Sequence, residues 1–468
     1  MAENSIDKYG AVGDGRCVCT AAIAAAIEAC ASAGGGRVVV PPGDWLTGPI
    51  ALRSGVELHL HAGATVRFTA RCEDYPLVLT DYEGQEAVRC MSPLHGQDLA
   101  NVAITGQGVL DGQGEFWRPV KKFKRTEQEW AELVASGGVV DEQRGMWWPS
   151  RSAMAGASEV RRLRDSARPL RIEDYEPYRH YLRPNMVKLA GCRNVRLEGV
   201  TLRNSPAWTA HLLLCRGVTV HDVSIHNPWY AANADGLDLD SCEDVTVRDC
   251  RIDTGDDGIC IKSGKDEAGR RRGRPSQNID IANCTVLRAH GGVTIGSEMS
   301  GGVRNVRVRN CIFRGTDIGL RFKSTRGRGG VVENIDIANV AMHDIRHEAI
   351  SLNLYYMVRQ PRPEPVGERT PTFRAIHMRN VTCDGAERAM EIRGLPEMPI
   401  EAVTMEDIRI RARRGASLSD AQHLTLRNVR LDVETPPALR CHNVSGLRME
   451  NVSASGPAET PGEVVGDL

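Results

Sequence analysis

Val245-Thr246-Val247-Arg248-Asp249-Cys250-Arg251-Ile252 is echoed by Ile279-Asp280-Ile281-Ala282-Asn283-Cys284-Thr285-Val286, and again by Val306-Arg307-Val308-Arg309-Asn310-Cys311-Ile312-Phe313. In each copy apolar side chains hold the first, third, sixth and eighth positions, with Asp or Asn at the fifth. Alternation of period two on either side marks two short strands. The phase shift between them marks a bend, where Asn and Asp accept the left-handed backbone. The same frame starts at Val195, Val218, Ile335, Ile376, Val403, Leu424 and Leu447. Asp or Asn holds the bend in every copy but the first, which has Gly199. A repeat of about 20–50 residues with no helix in its unit describes a solenoid of strands. The expected fold class is all-β, a single-stranded parallel β-helix in which stacked coils bury a continuous core. Cys250, Cys284 and Cys311 then form an inward ladder, packing as small hydrophobes and not as disulfide partners.

Outward from the repeat, Tyr9 to Gly15 is a glycine-punctuated opening. Thr20 is expected to cap an Ala-rich helix through about Ala33, ended by Gly34-Gly35-Gly36. Residues 1–36 thus read as a cap, followed by short strands at Val38–Val40, Trp45–Ile50 and Val56–Leu60. Residues 1–468 read as a single β-helix domain interrupted by an inserted region, 113–183. That insertion carries Trp117, Trp130, Trp147 and Trp148 with Lys121, Lys122, Lys124, Arg125, Arg161, Arg162 and Arg164, and a short helix is expected over Glu127–Val134. Two readings stay open for it. Aromatic and basic side chains would suit an acidic sugar, or the insertion packs on itself with a solvated basic rim.

The 468 residues carry a net charge of −1, so nothing points to bulk binding of nucleic acid or a membrane. The Arg-rich run Arg270 to Arg274 reads as a solvated loop. Met1-Ala2-Glu3-Asn4-Ser5 has no basic n-region and no apolar h-region follows, so a cytoplasmic location is expected. The 14 cysteines do not form a disulfide framework, and no C-x-x-C pair suggests zinc.

Chemistry gathers in four clusters: Asn233-Ala234-Asp235-Gly236, Gly255-Asp256-Asp257-Gly258, Ala289-His290-Gly291-Gly292 and Arg321-Phe322-Lys323. Any one of them alone reads as a turn, since Asp beside Gly suits tight backbone. The repeat changes that reading. Asp256 and His290 each fall 11 residues past their anchors, and Arg321 and Lys323 fall 15 and 17 past theirs, as Asp235 falls 17 past Val218. With coils about 4.8 Å apart, these groups should gather on one side of the solenoid. Paired carboxylates suit acid–base work because repulsion raises one pKa while the other stays ionised.

This set, in this order, resembles the polygalacturonases of glycoside hydrolase family 28. The resemblance also takes in Gly296 to Val303 and Thr316 to Gly330. It implies a right-handed parallel β-helix that hydrolyses α-1,4 links of pectic oligo- and polygalacturonate, with inversion and without a metal or cofactor. By motif, Asp256 would be the general acid, and Asp235 and Asp257 would position and deprotonate the attacking water. His290 would tune Asp256 or help hold the sugar. Arg321 and Lys323 would bind a substrate carboxylate, Asn233 would position or bind substrate, and Tyr356 would contact it, with Tyr355 competing for that role. Ala234, Ala289 and Phe322 depart from the family's usual Thr, Gly and Ile. The insertion could close one end of the groove and make the enzyme exo-acting. The offset of Asp235 and Asp256 along the strand direction predicts a gap wide enough for water, as in inverting enzymes. Rival readings are a pectate or rhamnogalacturonan lyase, a rhamnogalacturonan hydrolase on the same fold, and a non-catalytic polysaccharide-binding β-helix.

Overall fold

The computed structural model describes residues 3–166, 169–358 and 362–455. The chain divides into two compact units, Met1–Asp238 with Asp253–Asp256, and Leu239–Ile252 with Asp257–Leu468.

In the first unit, helix α1 (Thr20–Ser32) buries Ile23, Ala26, Ile27 and Cys30. Its N-cap is Cys19, not Thr20. The Thr20 hydroxyl instead accepts from Gly48 N at 2.6 Å and lies 3.1 Å from Thr47 Oγ1, so it fastens the start of the helix to the end of strand Gly43–Thr47. Parallel pairing then aligns Val38 with Leu58, Leu58 with Ile104, Ile104 with Leu197 and Leu197 with Val220. The repeat therefore reaches upstream of Val195, with a bend at Gly106 in place of Asn. Gly199 stacks on that bend: a Cβ there would lie 2.4 Å from Gly106 O, which is why this copy departs from Asp or Asn.

The insertion folds around its own core. Strands Val120–Lys121, Met146–Trp148 and Val139–Asp141 form a small antiparallel sheet. Helix α2 (Glu127–Ala135) begins with a capping box between Thr126 and Glu129, and α3 (Arg151–Asp165) packs through Gly156 on Tyr181. Trp117, Trp147 and Trp148 are buried. Trp117 and Tyr175 join Tyr75, Leu77, Val88 and Cys90 in one cluster. The last three of these come from an antiparallel hairpin, Leu77–Tyr82 with Gln85–Cys90, which the repeat gave no sign of.

The second unit carries the repeat with few interruptions. Val245 pairs with Ile279, Ile279 with Val306, Val306 with Ile335, Ile335 with Ile376 and Ile376 with Val403. The bend residues Asp249, Asn283, Asn310, Asn339, Asn380, Asp407, Asn428 and Asn451 all have φ between +51° and +57°. Each Asn amide donates to the residue one coil back: Asn283 to Asp249, Asn310 to Asn283, Asn339 to Asn310 and Asn380 to Asn339, at 2.8–3.3 Å. The ladder resumes from Asn428 to Asp407 and from Asn451 to Asn428. It breaks between Asn380 and Asp407 because a carboxylate has no hydrogen to donate. A second ladder, Asp244, Asn278, Asn305 and Asn334, runs one residue before the anchors. Cys250, Cys284 and Cys311 are buried, and none of the three is in a disulfide. The Arg-rich run is only in part the solvated loop expected: Arg271, Gly273 and Arg274 are exposed. It lies in α4 (Asp266–Arg272) and just beyond, and Arg270 is largely buried, donating to Gly327 O at 2.6 Å and Arg328 O at 3.3 Å.

Candidate active site

In the first unit the acid loop is held from beneath by backbone and from the side by arginine. Asn233 adopts φ +56°, and its N–H donates to Asp256 Oδ2 at 3.2 Å. Its side-chain oxygen accepts from Arg183 Nη2 at 2.8 Å, while Arg183 Nη1 donates to Pro206 O and Ala232 O at 2.9 Å. Arg183 is buried, and burial pushes its pKa down. Asp235 is buried at the end of the same loop, and its carbonyl accepts from Thr209 N at 2.8 Å. The Thr254 hydroxyl donates to Ala234 O. Gly255 is required, since a Cβ would lie 2.6 Å from Ala231 O and 2.7 Å from Pro228 O. Asp256, next in sequence, is half-buried. The insertion reaches this loop: Lys124 Nζ donates to Trp229 O at 3.2 Å and Gly255 O at 3.4 Å, and Arg125 lies 3.6 Å over the Tyr230 ring. Trp117, Trp147 and Trp148 of the insertion thus pack inward, while Lys124 and Arg125 reach the acid loop.

A carboxylate oxygen of Asp235 lies within 4.8 Å of one of Asp256.

In the second unit Asp257 is 1% exposed and doubly paired. Arg321 Nη1 lies 3.0 Å from its Oδ1, and Lys323 Nζ lies 2.7 Å from its Oδ2. Burial alone would raise its pKa. The Lys323 and Arg321 charges outweigh burial and hold the carboxyl far below the usual range. For Lys323, burial would lower the pKa, but Asp257 drives it upward. Arg321 and Lys323 share one face of strand Ile318–Lys323, with Phe322 buried on the other. The glycines follow from this arrangement. A Cβ on Gly291 would lie 3.2 Å from both Asp257 Oδ1 and Arg321 Cδ, and one on Gly258 would lie 2.5 Å from Val286. His290 Nε2 lies 3.6 Å from Asp317 Oδ2, which in turn lies 3.5 Å from Arg346. Tyr356 faces Lys323 and Arg321 at 5.0 and 5.7 Å, whereas Tyr355 is buried between Arg326 and Arg393.

Residues 176–445 match the model of glycosyl hydrolases family 28. The chain belongs to that family. A hyperthermoactive exopolygalacturonase from Thermotoga maritima, of known structure, is 34% identical, with a TM-score of 0.78 over 92% of this chain and 91% of its own. An exo-poly-alpha-D-galacturonosidase of Dickeya chrysanthemi is 29% identical over 83% of this chain, which spans 64% of that enzyme. A probable polygalacturonase of Vitis vinifera is 27% identical over 87% of this chain and 74% of its own. This family 28 protein is thus a glycoside hydrolase on a right-handed parallel β-helix. The lyase and non-catalytic readings give way.

Against the family 28 pattern, the three departures all lie on buried faces: Ala234, Ala289 and Phe322 are each at most 1% exposed. They alter packing and leave the charged groups in place. Sequence reasoning missed Arg183 and Asp317 and placed Lys124 only among the insertion's basic residues, because each reaches its partner across a long stretch of chain with no motif around it. It also passed over the role of Glu298, which lies 3.6 Å from the buried Lys262 and 3.9 Å from Arg328. Burial would raise the Glu298 pKa, but Lys262, Lys323 and Arg328 hold it low.

Proposed function

We propose that the enzyme hydrolyses α-1,4-galacturonosyl links of pectic oligo- and polygalacturonate, releasing monogalacturonate from a chain end. The observation that carries the mechanism is the contrast between two carboxylates adjacent in sequence. Asp257 is buried and fixed as an anion by two cations. Asp256 is half-buried against a backbone N–H. Of the pair, with Asp257 committed as an anion, Asp256 takes the role of general acid toward the leaving oxygen. Asp235 and Asp257 position and activate the water. His290, backed by Asp317, tunes Asp256 or holds the sugar. Arg321, Lys323, Tyr356 and Asn233 take the substrate, Arg321 and Lys323 through its carboxylate.

Exo action is supported by the exo-acting Thermotoga and Dickeya relatives. The insertion and the Leu77–Cys90 hairpin, packed on one another, supply the material for a closed end. Inversion is supported by family membership and not by the carboxylate spacing. No nucleic acid or membrane enters this reading, and 14 cysteines outside any disulfide suit a reducing, cytoplasmic location. The deciding experiment is product analysis on polygalacturonate, with rhamnogalacturonan as the alternative substrate. Monogalacturonate should appear early, as the β-anomer by proton NMR, with little fall in viscosity. A rapid fall with mixed oligomers would mean endo action, an initial α-anomer would mean retention, and turnover of rhamnogalacturonan alone would replace the substrate.

A further inference from the structure

A second cavity lies in the first unit, between the hairpin and the coil strand Val187–Ala190. Its volume is about 280 Å³, at the small end of the usual range for ligand pockets, room for one sugar ring and not for a chain. Its wall is polar where a core would be apolar. Arg89 is 8% exposed and Asn185 4% exposed, and both line it. Each keeps a buried polar atom without a partner among the described residues: Arg89 Nε, a donor, and Asn185 Oδ1, an acceptor. An orphaned buried donor or acceptor costs about 1–3 kcal/mol and calls for an explanation. Packing alone supplies none, since the hairpin could close this gap with apolar side chains.

The cavity's charge names the ligand class. Lys188, also buried, lines it beside Arg89, and its Nζ donates to Thr80 Oγ1 at 2.7 Å and to Asp81 O. Asp81 is the acidic residue of the lining. His95 Nδ1 donates to Ser92 O at 2.9 Å, and burial lowers its pKa, so it adds no charge. Leu79, Val78 and Met91 give the apolar patches that a sugar ring covers. The cavity is also wired to the acid loop. Arg89 donates to Arg183 O, Arg183 to Asn233, and the Asn233 N–H to Asp256.

We infer that this cavity is a subsite for a single hexuronate residue, with Arg89 taking its carboxylate and Asn185 Oδ1 accepting from a ring hydroxyl. The inference rests on the proposed polygalacturonate activity. Two sources share this chemistry, the terminal residue of a chain and free galacturonate product. The test titrates galacturonate and galactose into Asp256→Asn protein by calorimetry, and measures KM for trigalacturonate and inhibition by galacturonate in active protein. Galacturonate should bind and galactose should not compete. Arg89→Gln should weaken galacturonate by about ten- to a hundred-fold, the loss of a hydrogen bond to a charged group, and Asn185→Leu by about two- to tenfold, the loss of a neutral one. A matching rise in KM for trigalacturonate assigns the subsite to the chain end, and a loss confined to product inhibition assigns it to released product. Arg89 also braces Arg183, so Ser92→Leu, which fills the cavity without touching that bond, is the control. Galacturonate affinity, inhibition and KM all unchanged in Asn185→Leu and Ser92→Leu would overturn the proposal. An enzyme that fails on polygalacturonate yet binds galacturonate here would overturn the functional reading and leave the subsite standing.

Discussion

Ile279–Val286 and Ala289–Gly296 belong to one coil, yet they are held in opposite ways. In the first stretch each side chain meets a near copy of itself on either side: Ile279 between Val245 and Val306, Asn283 between Asp249 and Asn310. In the second, Gly291 stands where Asp257 and Arg321 approach, with nothing repeated. Like neighbours make a contact that many residues could supply, and each coil adds a small independent increment. Unlike neighbours make a contact in which each charge is needed by the other. Stability should therefore respond gradually to changes in the first stretch and abruptly at the charges that meet around the second.

The largest expected effect is catalytic. Asp256→Asn should lower turnover by about 10²- to 10⁴-fold while the melting transition stays where it was. Substantial activity in the folded variant would remove Asp256 from the acid role and make Asp257 the first alternative.

Asp257→Asn sharpens the contrast, because it should damage both activity and fold. Removing the carboxylate leaves Lys323 and Arg321 without their shared counter-charge, a change that costs about 3–5 kcal/mol in buried pairs. Denaturant unfolding would measure it, and unaltered stability would mean the pair adds nothing to the fold.

The same pair predicts a pH dependence. The Asp257 carboxyl titrates lower in the folded chain than in the unfolded one, so its stabilisation is complete above about pH 4, the unfolded value, and fades as pH falls below it. Lys323 is shifted the other way. Its contribution is complete below about pH 10 and fades only as pH rises further. Between those limits the pair should be indifferent to pH. Wild type should lose stability between about pH 4 and 2 more steeply than Asp257→Asn, and parallel curves would contradict the pairing.

These contrasts also explain what could be read in advance. Val245, Val247, Cys250 and Ile252 announce their coil because strand alternation is local, and three copies make it unmistakable. The four site clusters were legible because they keep fixed offsets from that frame. Arg183 and Lys124 were not, since their partners at Asn233 and Gly255 lie 50 and 131 residues away. The second Asn ladder was overlooked because Asp244, Asn278, Asn305 and Asn334 sit just outside the apolar pattern that anchors the reading.

The smallest effects belong to the ladder, and one reverses sign. Asn310→Ala removes a donated and an accepted bond at φ +55° and should cost about 1–2 kcal/mol. Asp407→Asn supplies the missing donor toward Asn380 and should stabilise by about 0.5–1.5 kcal/mol. A destabilised Asp407→Asn protein would show that the break is needed.

Parallel pairing of successive coils has a mechanical consequence. From Ile376 onward the anchors recur at Val403, Leu424 and Leu447, and each strand pair is bonded to the coil before it. Tension applied at the Arg448–Ser455 end would load those bonds a few at a time, peeling one coil before the next. At about 3.3–3.6 Å per extended residue, each coil would release roughly 80 Å of chain. A force–extension trace should then show a train of small, evenly spaced steps where a sandwich of the same size would give one large rupture.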